Sequence, residues 1–222
     1  MIEIIPAILT NDINELKEKL ALCEEVQSID LGLIDRVQID IIDGVFANNK
    51  TIDPSVLGSI DTSLKLDFHL MVDEPISWVE KCVGLGADRI IGQIEKMSSQ
   101  VEFIGKVTST GLKVGLAIDL ETPVSKLDSL VLNNLDVILV MSVKAGFGGQ
   151  KFDTEVLSKI KLLDEIRSRD NTPFRICDDG GITLDKIGDV RREGVDEVSI
   201  GKRLFKGDLK ENINKFRSAT YK

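Results

Sequence analysis

The chain is poor in the features that mark secreted, membrane-bound or nucleic-acid-binding proteins. It has three cysteines in 222 residues, Cys23, Cys82 and Cys177. They are odd in number, far apart and form no C-x-x-C pair. That excludes a disulfide framework and predicts a reduced, cytoplasmic protein with buried thiols. Positive charge is also scarce: 28 Lys and Arg stand against 37 Asp and Glu, for a net charge of -9. Such a surface matches neither a nucleic-acid backbone nor an anionic membrane, so neither is expected as a partner. A phosphate ligand would have to be held locally, by backbone N–H groups and one or two cations. No apolar run approaches the about 20 residues that cross a bilayer. The opening MIEIIPAIL lacks the basic region of a signal peptide, so none is expected. Linkers rich in Pro, Gly or Ser are missing too. One domain over residues 1–222 is therefore expected, with 42% apolar residues to build its core.

What is present is an alternation. Short apolar runs predict strands at Ile2–Pro6, Arg36–Ile42, Leu64–Leu70, Arg89–Ile94, Leu112–Ile118, Asp136–Ser142, Phe174–Cys177 and Glu197–Ile200. Several are apolar almost throughout, as parallel strands buried on both faces are. Amphipathic stretches between them predict helices at Asn11–Val26, Asp53–Ile60, Ser77–Leu85, Ser99–Ser109, Pro123–Leu132, Thr154–Arg167, Leu184–Glu193 and Asp208–Arg217. Repeated βα units argue for a parallel α/β fold, and this number of them fits a closed (β/α)8 barrel (TIM barrel) better than an open sheet. In such barrels, sites lie at the C-terminal ends of the strands.

Polar residues at those ends stand out. Asp40 lies inside an apolar strand, where a carboxylate needs a partner, a ligand or a proton. Period two puts Gln38, Asp40 and Ile42 on one face, taken as the inward one. A plain hydrogen bond to a neighbouring N–H would also satisfy Asp40. His69, the single histidine, sits at the end of strand three. Asp178 and Asp179 precede Gly180 and Gly181 after strand seven, a pattern that serves a turn or an anion site beside a helix N-terminus. Gly146, Gly148 and Gly149 follow strand six, and Gly201 with Lys202 follows strand eight. Glycines after strands six, seven and eight fit a phosphate cradle in the late barrel loops, with Lys202 as its cation.

At these residues the chain resembles the ribulose-phosphate 3-epimerase family over nearly its whole length. The anchors are Pro6-Ala-Ile-Leu9, Asp40-Ile-Ile-Asp-Gly44, Phe46, Asn49, His69-Leu-Met71, Gly86-Ala-Asp88, Thr122-Pro123, Val140-Met-Ser-Val143, Gly146-Phe-Gly-Gly-Gln150 and Asp179-Gly-Gly181. The resemblance implies an isomerase that interconverts D-ribulose 5-phosphate and D-xylulose 5-phosphate by inverting C3. It implies Asp40 and Asp179 as the acid–base pair working from opposite faces. It also implies a divalent metal (zinc, manganese, iron or magnesium) held by Asp40, His69 and Asp179, with position 38 as a further ligand. The metal would spread the enediolate charge as a Lewis acid. Met71 and Met141 would line the site, and the glycine segments would hold the phosphate. A homo-oligomer, dimer or hexamer, is implied as well.

The chain departs from the family's pattern at several points. Gln38 replaces the strand-two histidine, Ala7 a strand-one serine and Gln93 the histidine of F-H-x-E on strand four. Lys144-Ala145 replaces Asn-Pro before the glycine loop, and Lys202 replaces a serine in the phosphate site. An amide is a weaker and harder ligand than imidazole, which shifts the expectation from zinc towards manganese or magnesium. Two other readings follow. One is a barrel that binds a phosphosugar without this chemistry. The other is a lyase or decarboxylase relative, for which Asp67-Phe-His-Leu-Met-Val72 lacks the Lys and second Asp of Asp-x-Lys-x-x-Asp.

Overall fold

The apolar runs form eight parallel strands that close on themselves in sequence order. In the computed structural model, residues 2–54 and 61–221 are described. The strands are β1 Glu3–Ile8, β2 Arg36–Ile42, β3 Lys65–Met71, β4 Ala87–Gln93, β5 Lys113–Ile118, β6 Val137–Met141, β7 Arg175–Asp179 and β8 Glu197–Ile200. β8 pairs with β1 through Glu3↔Glu197 to Pro6↔Ile200, which leaves no open edge. Among the described residues the α-helices are α1 Ile13–Ile29, α2 Val79–Gly84, α3 Gln100–Ser109, α4 Val156–Asp170, α5 Ile187–Arg192 and α6 Leu209–Ala219. Side-chain caps start three of them. Asp12 accepts from Asn14 N at 2.8 Å, Ser99 from Glu102 N at 3.2 Å and Asp208 from Glu211 N at 2.7 Å. No helix among the described residues is long and apolar enough to cross a membrane.

Two cores result from strand alternation. Val37, Ile39 and Ile41 of β2 pack outward with helix residues such as Leu16, Leu20 and Ile213. Ile42, Met71, Ile91, Leu139, Met141 and Cys177 form a smaller inner cluster. All three cysteines are buried and free. The expected helix at Asp53–Ile60 falls largely outside the described residues.

The helix expected at Pro123–Leu132 is replaced by two 3-10 turns, Val124–Lys126 and Leu132–Asn134. Leu127 between them is extended. The Asp128 carboxylate accepts from Leu130 N at 2.9 Å, a local bond that competes with helix. Strand β7 is longer than expected and contains Asp178 and Asp179. The helix after it begins only at Ile187, so Ile182 to Lys186 separate Gly181 from its N-terminus.

Candidate active site

Register brings the acids together. Asp40 on β2 sits beside His69 on β3, and Asp179 on β7 sits beside Ser199 on β8. Asp40 and Asp179 line a pocket at the C-terminal mouth of the barrel, together with Met71 and Met141. Gly146, Gly148, Gly149, Gly180, Gly181, Gly201 and Lys202 line the same pocket. His69 and Gln38 lie beneath it, fully buried. His69 Nδ1 is 3.1 Å from Asp40 Oδ1 and 3.8 Å from Asp179 Oδ2.

Burial dominates the electrostatics. It pushes the Asp179 carboxyl up to about 7, and the negative charge of Asp40 adds to the rise. Burial opposes a charged imidazole at His69, but the hydrogen bond and charge of Asp40, then Asp179, outweigh it and raise its pKa. Among the described residues His69 Nε2 is buried without a hydrogen-bond partner, and the polar contacts of this ring are made through Nδ1.

The donor set fits a divalent cation. Asp40, His69 and Asp179 each offer a ligand atom, and these atoms lie within 4.8 Å of one another. Two carboxylate oxygens and an imidazole nitrogen suit several first-row metals and magnesium less specifically than a thiolate set suits zinc. Gln38 reaches the same centre, but it presents its amide nitrogen rather than its oxygen. Nε2 donates to Asp40 Oδ1 at 2.8 Å and to Asp179 Oδ2 at 2.6 Å.

The loops around the mouth are held by short polar ties. Asp43 accepts from the backbone N–H groups of Val45, Phe46 and Asp73 at 2.7–2.9 Å, which fixes the turn after β2. Burial opposes its charge, but these donors outweigh it and lower its pKa. Asn49 donates to Gly146 O at 2.7 Å and joins that turn to the loop after β6. Gly146 has φ +103°, and a Cβ there would come within 2.4 Å of Ala47 Cβ. At Gly181, φ +63°, a Cβ would come within 2.4 Å of Phe152 N. Both positions need glycine for the loops to meet.

Gln93, where the resemblance expects histidine, is fully buried to one side of the acids. With its amide turned to match its neighbours, its nitrogen donates to Ala117 O and Glu95 Oε2, both at 2.9 Å. Ala7 lines the pocket wall. Asp67, the residue compared with the lyase constellation, lies near the other end of the barrel. It is bound there by Arg36 and Arg89, so it has no part at the mouth.

Two cations escaped the sequence analysis. Lys19 of α1 and Arg203 after β8 line the pocket alongside Lys202, so Lys202 is not alone there. Lys19 Nζ pairs with Glu15 at 2.6 Å. That i,i+4 spacing is indistinguishable in sequence from an ordinary surface ion pair. Asp178 differs from its neighbour Asp179. It faces outward, between Val140 and Val198. It is fully buried, and among the described residues neither oxygen has a hydrogen-bond partner of good geometry, the Ser142 hydroxyl being the polar group that favours its charge. Burial pushes its pKa well above the carboxylate range. Period two along β7 was the available signal, since it puts Cys177 with Asp179 and Ile176 with Asp178.

Comparison with known proteins agrees with this geometry. The model of the ribulose-phosphate 3 epimerase family matches residues 3–205. A ribulose-phosphate 3-epimerase from Bacillus subtilis (strain 168) is 32% identical, covering 99% of this chain and all of that protein. One from Aquifex aeolicus (strain VF5) is also 32% identical, covering 88% of this chain and 89% of the relative. Among solved structures, phosphoribosyl anthranilate isomerase from Thermotoga maritima superposes with a TM-score of 0.61 at 13% identity, covering 100% of this chain and 99% of that one. That likeness shows the fold alone. Family match, relatives and motif placement agree, and the chain belongs to the ribulose-phosphate 3 epimerase family.

Proposed function

We propose that this protein is an isomerase that inverts C3 of a phosphorylated ketose, converting D-ribulose 5-phosphate to D-xylulose 5-phosphate and back. The observation that carries it is the pair of carboxylates, Asp40 and Asp179, delivered to one pocket from well-separated strands. Inversion needs a base on one face of C3 and an acid on the other. One carboxylate takes the C3 proton, and the other, in its protonated form, returns one to the opposite face. His69 orients Asp40 through Nδ1. The glycines after β6, β7 and β8 hold the phosphate through backbone donors, and Lys202, Lys19 and Arg203 neutralise its charge. Met71 and Met141 supply apolar contact beside the reacting carbon.

Asp40, His69 and Asp179 would hold a divalent metal, from among zinc, manganese, iron and magnesium. When bound, it supplies Lewis-acid stabilisation of the charge left on the sugar by proton loss.

The test is conversion of ribulose 5-phosphate by metal-supplemented protein. Asp40→Asn and Asp179→Asn are each expected to lower kcat by about 10²–10⁴-fold, with sugar-phosphate binding retained. Tight binding of the sugar phosphate by the wild-type protein without turnover would make it a phosphosugar-binding barrel instead.

A further inference from the structure

The Gln38 amide nitrogen sits where a cation would. Nε2 is 2.8 Å from Asp40 Oδ1, 2.6 Å from Asp179 Oδ2 and 3.5 Å from His69 Nδ1. It touches one candidate ligand atom on each of the three residues. A metal ion at about 2.0–2.2 Å from such atoms would occupy the same small volume. Amide nitrogen and cation therefore exclude each other.

The amide is also fully engaged. Its two hydrogens go to the two carboxylates, and its oxygen accepts from the Ser199 hydroxyl at 2.6 Å. Gln38 is 1% exposed, so water does not substitute for any of these partners at the surface. Turning the amide over with nothing else changed would aim Oε1 at two carboxylates and break both charge-assisted bonds. The turn becomes favourable only when a positive ion arrives between those oxygens. Ser199 fits both orientations, because a hydroxyl that donates to Oε1 can accept from Nε2 after the turn. Among the described residues the only other polar contact of Ser199 Oγ is Cys177 Sγ at 3.6 Å, a weak one.

We propose that Gln38 is a resident stand-in for the cation, and that a divalent metal binds only as the Gln38 amide turns over on the Ser199 hydroxyl. Without metal, the amide nitrogen bridges Asp40 and Asp179 and keeps the pair assembled. With metal, the amide oxygen becomes a ligand. The inference rests on the cation site proposed above. It makes Gln38 a positioning residue for the acid–base pair, distinct from a passive histidine substitute.

The test is a zinc titration of metal-stripped, ¹⁵N-labelled protein, followed in side-chain amide and histidine-ring spectra. The Gln38 amide pair is identified by its loss in Gln38→Glu. The expected result is that the Gln38 pair and the single histidine ring, His69, shift together along one binding curve. A His69 shift with an unmoved Gln38 pair overturns the turn while leaving the cation site standing. No shift in either at saturating zinc, nor at saturating magnesium, removes the cation site, and the turn with it. A second variant measurement reads the same idea through stability. Gln38→Glu cannot bridge but adds an anionic ligand. It is expected to melt below wild type in chelator and above it in excess zinc, with zinc bound at least about tenfold more tightly. A melting temperature lowered equally in both conditions would mean that Gln38 only packs, and would overturn the proposal.

Discussion

The barrel interior carries two polar layers, and they are built on opposite principles. Near the N-terminal ends of the strands, each buried acid faces guanidinium groups. Asp67 is held by Arg36 and Arg89, and Glu197 by Arg89 at 2.7 Å and Arg175 at 3.0 Å. Near the C-terminal ends, Asp40 and Asp179 share one amide and one imidazole, and no Arg or Lys bonds to either among the described residues. The consequence shows in protonation. Burial raises the Glu197 pKa, but the charge and hydrogen bonds of Arg89, with the charges of Arg175 and Arg36, together outweigh it and lower the value. At Asp67, by contrast, burial outweighs the Arg89 and Arg36 charges and the pKa is raised. At Asp179 burial and the Asp40 charge act in the same direction and carry it to about 7. A layer that neutralises its own acids stabilises the fold. A layer that leaves two acids short of positive charge has room for a cation and a transferable proton.

The comparison can be broken from its stable side first. Arg89→Met leaves Asp67 and Glu197 buried with a guanidinium fewer. It should destabilise the protein by about 3–5 kcal/mol in denaturant melts. The kcat per folded molecule should stay unchanged, since Arg89 is at the far end from the pocket. A kcat that fell with stability intact would mean that the two layers are coupled.

Acid should act on the same layer. Glu197 has a lowered pKa in the fold, so its contribution is present above the unfolded value of about 4.3. That contribution is lost as pH falls through the folded value, because the unfolded chain binds the proton first. Glu197→Gln should therefore start less stable at neutral pH and lose stability less steeply below about pH 4.3. Urea melts at a series of pH values measure this. Parallel slopes for variant and wild type would remove Glu197 from the acid response.

Asp178 belongs to neither layer. It is a buried acid in the apolar shell between barrel and helices. Among the described residues its oxygens make no hydrogen bond of good geometry, with only the Ser142 hydroxyl nearby to favour its charge. Asp178→Val should raise stability by about 1–3 kcal/mol, the usual penalty of an unsatisfied buried polar group. It should leave turnover unchanged. A loss of stability would show that the carboxyl has a partner in solution.

Much of this was legible in sequence, for physical reasons that also mark the limits. Strands buried on both faces have to be apolar, so β6 declared itself, and the order of the strand candidates implied the barrel. Asp40 and His69 drew notice as polar groups near the C-terminal ends of buried strands, but Asp179 was singled out over Asp178, and the three were joined as one set, only through the family motifs. The segment after β5 misled, since its apolar spacing suits a helix while Pro123 and the Asp128 side-chain bond favour turns. Lys19 was hidden by a helix geometry that no spacing rule aims at a pocket. Gln38 was visible as a substitution, but which end of its amide meets the acids depends on Ser199, which is remote in sequence and adjacent only once the barrel closes.

The most direct test of the central claim is to run the reaction in D2O and follow deuterium at C3 of ribulose 5-phosphate by NMR. Proton transfer by the Asp40–Asp179 pair predicts that xylulose 5-phosphate forms carrying solvent deuterium at C3, with the signal lost in Asp40→Asn and Asp179→Asn. No exchange at C3 in metal-supplemented wild-type protein, or exchange that survives both substitutions, would contradict it.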